Sequence, residues 1–187
     1  MNYIIGFILS YLFGSISGAY LVVKALTEKD VRLIGSSNAG ATNAGRAAGK
    51  TGFLLTLLID ALKVWTALFI VVKMMGYNEI LLLISCFGLM LGHLFPIYLR
   101  FKGGKGVVVY LVSALYLSPF SILVFAAVMI VCYGILRKYT ISGFISMASI
   151  PLSTMIITGS WMITLNVLLL FFFVLVSNNK TNRLKSD

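Results

Sequence analysis

A chain of 187 residues that is 60% hydrophobic, only 11% charged and of mean hydropathy +1.02 cannot keep its apolar surface away from water in a soluble domain. Composition therefore assigns it to a lipid bilayer. Its net charge is +10, with one histidine and five acids, and Cys86 and Cys132 sit in apolar segments without metal or redox spacing. Ligands for a metal centre are scarce, and the two cysteines read as small packing residues.

Spans of about 20 apolar residues are predicted near 3–23, 53–72, 80–99, 107–118, 120–136, 143–159 and 161–176. The expected fold is an all-α integral membrane protein, a seven-transmembrane-helix bundle forming one domain over 1–187. No basic segment precedes the first span and no cleavage site follows it, so it reads as a retained helix. Its small residues Gly14, Ser15, Ser17, Gly18 and Ala19 suit close helix packing.

The segment 24–52 is rich in Gly, Ala, Ser, Thr and Asn, which cannot build a core but can approach a ligand closely. In the second span Asp60 and Lys63 share a helix face at i, i+3. Ionisable groups at that depth are costly and usually paired, so they read as a pair that orients the helix or as a direct substrate contact. The third span ends in Gly92-His93-Leu94-Phe95-Pro96, and Phe101-Lys102-Gly103-Gly104-Lys105-Gly106 follows. Gly103-Gly104 predicts a tight turn there. His93, at that helix end, reads as an anchor of the turn or as a general base or phosphate contact. The fourth span is short, and Pro119 separates it from the fifth.

With seven spans, one side carries Lys24, Lys29, Arg32, Arg46, Lys50, Arg100, Lys102, Lys105, Arg137, Lys138, Lys180, Arg183 and Lys185, and the other only Lys73. The positive-inside rule makes the first side cytoplasmic, so the N-terminus lies outside and the C-terminus inside. Both glycine-rich stretches then share the cytoplasmic face. Attraction to anionic lipid explains part of this charge without any phosphate substrate.

Glycine-rich backbone and cations suit phosphate binding. A histidine with an aspartate five positions on would suggest acyl-CoA chemistry, but that position is Tyr98. Gly49-Lys50-Thr51 mimics the end of a P-loop, yet Ala44 replaces the leading glycine and no strand precedes it. With cations, amides and hydroxyls but few acid–base groups, the chain suits an already activated substrate that needs positioning, such as an acyl phosphate. A carrier of a phosphorylated small molecule is the rival of another class, although carriers place ionisable groups near the midplane.

Gly14-Ser15, Asp30-Val31-Arg32, Gly35-Ser36-Ser37-Asn38-Ala39-Gly40-Ala41-Thr42-Asn43 and Arg46 resemble the first motif of the bacterial acyl-phosphate:glycerol-3-phosphate acyltransferases, the PlsY family. Gly92 to Pro96 with Phe101 to Val107 resembles the second, and Asp60-Ala61-Leu62-Lys63 matches that family's second span. The resemblance implies a seven-span protein of the bacterial plasma membrane with a cytoplasmic active site. It implies attack of the glycerol-3-phosphate 1-hydroxyl on a fatty acyl phosphate, with lysophosphatidic acid and phosphate as products. By position, Ser36, Asn38, Thr42 and Asn43 would line the acyl-phosphate site with backbone amides, flanked by Gly35 and Ser37. Arg46 and Lys105 would bind phosphate and stabilise charge, with Ser36 and His93 as further catalytic candidates. Lys102, Gly103, Gly104, Ser142 and Asn179 complete the expected substrate contacts. The substrate's own phosphate would take the hydroxyl proton. No metal, cofactor or nucleic acid is implied; membrane lipid is the surrounding partner, together with functional coupling to an enzyme that produces acyl phosphate.

The chain departs from the family pattern at several points. Ser37 stands where glycine is usual, and Val107-Val108-Val109 lacks the usual Ala-Thr. Ile141 occupies the third motif's serine position, with Thr140 and Ser142 on either side. The tail, Asn178 to Leu184, matches in part, and its acid is missing unless Asp187 stands in. These departures make a paralogue with another acceptor, or one that only binds, an alternative.

Overall fold

The computed structural model describes residues 1–183, with side chains through Asn179. The side chains of Lys180 and Arg183, and the expectation that Asp187 supplies the tail's acid, lie outside the described residues. Within them the chain is all-helical: α1 (Asn2–Ser15), α2 (Gly18–Thr27), α3 (Ala41–Met75), α4 (Glu79–Leu94), α5 (Val107–Leu117), α6 (Pro119–Leu136), α7 (Tyr139–Thr158) and α8 (Trp161–Arg183). Six stretches are long and apolar enough to cross a membrane: Asn2–Thr27, Ala41–Met75, Glu79–Leu99, Pro119–Leu136, Tyr139–Thr158 and Trp161–Asn179. Helix α5 has 11 residues, which at the α-helical rise covers about 16 Å. Pro119 opens α6 at its first turn, where a missing N–H costs nothing.

Two elements differ from the expected spans. The first span is broken: Ile16 is extended (φ −64°, ψ 112°), and Ser17 caps α2, its hydroxyl accepting the Tyr20 N–H at 3.3 Å. Helix α3 begins at Ala41, so Thr42, Asn43 and Arg46 stand on a helix, not in a loop. The run from Ala41 to Ala48 starts behind an extended Gly40, and its four alanines favour the helix. Ala48 and Gly49 then leave helical geometry, Gly49 with φ +68°, and kink this polar first section away from the membrane section.

Helices α1 and α4 pack along small residues. A Cβ at Gly14 would meet the Leu89 backbone, and one at Gly92 would meet Tyr11 and Ser15 backbone atoms. Such contact lets backbones approach in a medium where apolar burial gives no drive. Gly18 instead faces α3, beside Thr56 and Asp60. The main core joins α3, α4, α5, α7 and α8 through Leu68, Leu89, Met90, Tyr110, Ile150 and Leu170. A small second core of Ala19, Val23, Val31, Ala39 and Ala44 lies under the first glycine-rich loop.

Two contacts mark the ends of the bundle. The Ser160 hydroxyl donates to Glu79 at 2.7 Å, tying the turn between α7 and α8 to the start of α4. Lys105 donates to Asn178 Oδ1 at 2.8 Å, tying the segment before α5 to the far end of α8.

Candidate functional site

The first loop is shaped by one buried amide. Asn43, 1% exposed, donates from Nδ2 to the Val31 and Ile34 carbonyls, each at 2.9 Å, and its Oδ1 accepts the Ser36 N–H at 3.0 Å. A Cβ at Gly35 would crowd Asn43 Oδ1, and Gly35 itself sits at φ +55°. Ser37 also lies in the left-handed region, at φ +57°. Serine therefore adopts there a backbone that glycine enters more easily. Upstream, Arg32 grips Asp30 through Nε and Nη2, the latter at 2.6 Å, and this bond holds the Asp30 carboxyl below the usual carboxylate range. Arg32 Nη1 donates to the Leu99 carbonyl at 2.7 Å, so one guanidinium clasps both loops.

The amides expected to face an acyl phosphate divide into two groups. Those of Ser36, Ser37, Ala39, Gly40 and Asn43 bond within the protein. The start of α3 is different: Ala41 and Thr42 head a helix, whose first N–H groups lack intrahelical acceptors and attract anions. Thr42 and Arg46 are exposed one turn apart on that helix, and the Arg46 stem passes beside Gly35.

The second loop folds back on the end of α4. Gly103 N–H donates to the Leu94 carbonyl at 3.1 Å and Gly104 N–H to the His93 carbonyl at 3.0 Å. Ala39 N–H donates to the Gly103 carbonyl at 3.3 Å, which joins the two glycine-rich loops. Gly104 lies between the His93 ring, at Nε2, and the Ala39 carbonyl, leaving no room for a Cβ. Lys102 is exposed, while Lys105 is half-buried and bonded to Asn178.

His93 is 6% exposed, and its Nδ1 stands 2.9 Å from Lys63 Nζ. Lys63 also bonds Asp60 Oδ1 at 2.8 Å and the Ile16 carbonyl. An ammonium has three N–H donors and no acceptor, so Nδ1 accepts and the ring proton resides on Nε2. The Asp60–Lys63 pair is thus an internal network, and His93 serves as the floor of the second loop.

On α7, Ile141 points outward and half-exposed, whereas Ser142 is fully buried with no hydroxyl partner among the described residues. On α8 it is Asn178 that meets Lys105; Asn179 is exposed. Sequence reasoning named Asn179. The register of α8, set by Val167, Leu170 and Val174 in the core, turns Asn178 inward. Apolar periodicity would have found it, because Asn178 follows Val174 by four positions.

Fold and site together define a multi-pass, all-helical membrane protein whose polar loops join over cations at one end of the bundle. A family model described as glycerol-3-phosphate acyltransferase matches residues 4–186. The chain belongs to that family, and so to the membrane acyltransferases. It is 39% identical to glycerol-3-phosphate acyltransferase 1 of Rhizobium johnstonii over 150 residues, 80% of this chain and 72% of the relative. It is 35% identical to glycerol-3-phosphate acyltransferase 1 of Desulfitobacterium hafniense over 175 residues, 93% of this chain and 86% of the relative. The crystal structure of PlsY (YgiH), an integral membrane glycerol 3-phosphate acyltransferase in its glycerol 3-phosphate form, superposes with a TM-score of 0.84. Identity to it is 27%, over all of this chain and 93% of that one.

Proposed function

We propose that this acyltransferase moves a fatty acyl group from an acyl phosphate to the 1-hydroxyl of glycerol-3-phosphate. The hydroxyl oxygen attacks the acyl carbonyl carbon, the bond to the phosphate oxygen breaks, and lysophosphatidic acid and inorganic phosphate leave. The hydroxyl proton passes to the departing phosphate. The observation that carries this reading is the Ala39-to-Gly103 hydrogen bond, which brings the Thr42–Arg46 face and the Lys105 segment to one end of the bundle. The helix start at Ala41 and Thr42 cradles the acyl phosphate, with the Ser36 hydroxyl and Asn38 beside it. Arg46 offers phosphate a planar fork and Lys105 a point charge. Buried Ser142 and the Asn178 amide supply polar contacts for the acceptor. Asn43 acts by shaping the first loop, since both ends of its amide are bonded inside the protein, and His93, held at Nδ1 by Lys63, acts by supporting the second.

The same reading makes the bundle cross the membrane seven times, with the N-terminus outside and the site at the cytoplasmic face of a bacterial plasma membrane. Parity supports this. The turn between α7 and α8 sits by the start of α4, and the end of α8 sits by Lys105. Short α5 must then run from one end to the other for α6 and α7 to return. Acyl phosphates hydrolyse in water, which favours a producing enzyme at the same face.

The test is turnover by purified protein supplied with palmitoyl phosphate and glycerol-3-phosphate, read as phosphate release and lipid product. Wild type should form lysophosphatidic acid from the acyl phosphate and none from palmitoyl-CoA. Arg46→Ala and Lys105→Ala should each lower kcat by about 100-fold or more while remaining folded. Near-normal rates in either variant would remove that cation from the site.

A further inference from the structure

The Asp60–Lys63 pair is left unused by the reaction, although it lies inside a membrane span, where such groups are costly. Its surroundings show what it touches. Lys63 spends its three donors on Asp60, on the Ile16 carbonyl at the break in the first span, and on His93 Nδ1. Asp60 Oδ1 also accepts the Gly18 N–H at 3.2 Å, and Tyr98 Oη accepts the Ser17 N–H at 2.7 Å. The break between α1 and α2 is therefore closed by α3 and by the segment after α4.

From the same ammonium, the His93 ring is fixed in orientation and tautomer. That ring supports Gly104, the His93 carbonyl holds the Gly104 N–H, and Gly104 abuts the Ala39 carbonyl of the first loop. A continuous path of contacts runs from Ile16 and Gly18 through Lys63 and His93 to the point where the two loops meet.

We propose that Asp60 and Lys63 are positioning residues: by locking the His93 ring beneath Gly104, the pair sets the height of the Gly103–Lys105 segment against the first loop. The pair touches no substrate and rests on the acyl-transfer reading for its kinetic consequence. A salt bridge needed only for stability would be replaceable by neutral residues of similar size. A positioning pair would not be, because displacement of about 1 Å at a reacting centre costs about 100-fold in rate.

The experiment replaces both charges in the full chain, Asp60→Asn with Lys63→Met. No buried charge is then stranded, and the carboxamide oxygen introduced at position 60 still accepts the Gly18 N–H. Two readouts are taken on detergent-purified, folded protein. Amide hydrogen exchange over 94–106 should speed up, since the Gly103 and Gly104 amides loosen, while exchange in α6 and α7 stays as in wild type. With palmitoyl phosphate and glycerol-3-phosphate, kcat should fall by about 10- to 100-fold with both KM values within about threefold. Wild-type protection over 94–106, or an unchanged kcat, would overturn the proposal. The exchange result decides it even if wild type makes no lysophosphatidic acid, and the Arg46→Ala control reports on the acyl-transfer reading separately. Should the double variant not fold, His93→Phe keeps a ring under Gly104 and deletes Nδ1, and the same two outcomes apply.

Discussion

Single residues divide the polar inventory into two jobs. Asn43, with both ends of its amide bonded to the loop, and Lys63, with all three donors spent, serve the protein. Arg46, Thr42 and Lys102 stay at the rim. Ser37 stands between these groups: it is exposed and carries φ +57°, where an L side chain costs roughly 1–2 kcal/mol. Ser37→Gly should therefore raise the thermal midpoint of the solubilised protein by an amount equivalent to about 1 kcal/mol, part of the relief being lost to unfolded-state entropy. A midpoint equal to or below that of wild type would mean the turn gains from the serine hydroxyl.

Much at this scale was legible. Asp60 and Lys63 announce their pairing by helical spacing alone, and the structure pairs them at 2.8 Å. Their third partner, His93, is 30 positions from Lys63. No local pattern carries that distance, so only the folded bundle reveals that the histidine is internal. Asn178 lies within reach of apolar periodicity, but the motif comparison favours its neighbour.

Among the elements, the span limits follow from hydropathy, and Pro119 separates α5 from α6 as proline at a helix start should. The break at Ile16 and Ser17 could not be read in the same way. Small residues such as Gly14, Ser15 and Gly18 are common in intact membrane helices, and the groups that satisfy the opened backbone come from residues 60, 63 and 98. The start of α3 at Ala41 was hidden by its glycine-rich context and by Thr42, Asn43 and Gly45, weak helix formers that read as loop. Close packing of α1 on α4 gives this scale its prediction. Gly14→Val would place side-chain atoms on the Leu89 backbone, and overpacking of this kind costs about 1–3 kcal/mol. The variant should lose helical signal on heating well below wild type. An unchanged midpoint would show that α1 can shift freely on α4.

For the whole molecule, charge placement and contact parity both support the proposed arrangement. With seven spans, the positive-inside rule would place the glycine-rich loops inside the cell, and the contacts of Glu79 with Ser160 and Lys105 with Asn178 ask α5 to connect the two ends. In a background without the native cysteines, a cysteine replacing Ser37 should react with a membrane-impermeant maleimide only after cells are opened, and one replacing Tyr77 should react in intact cells. The reverse pattern would turn the protein over in the membrane and put its site outside.

The broken first span has a consequence for how the protein is made. As residues 2–27 emerge from the ribosome, the Ile16 carbonyl and the Ser17 and Gly18 amides have no partners of their own. Two of the three wait for Asp60 and Lys63, and the Ser17 amide waits until Tyr98 has been synthesised. A nascent chain stopped at the second span therefore holds a polar gap in lipid that the insertion machinery must shelter. Completion of the first span therefore waits for the segment after α4.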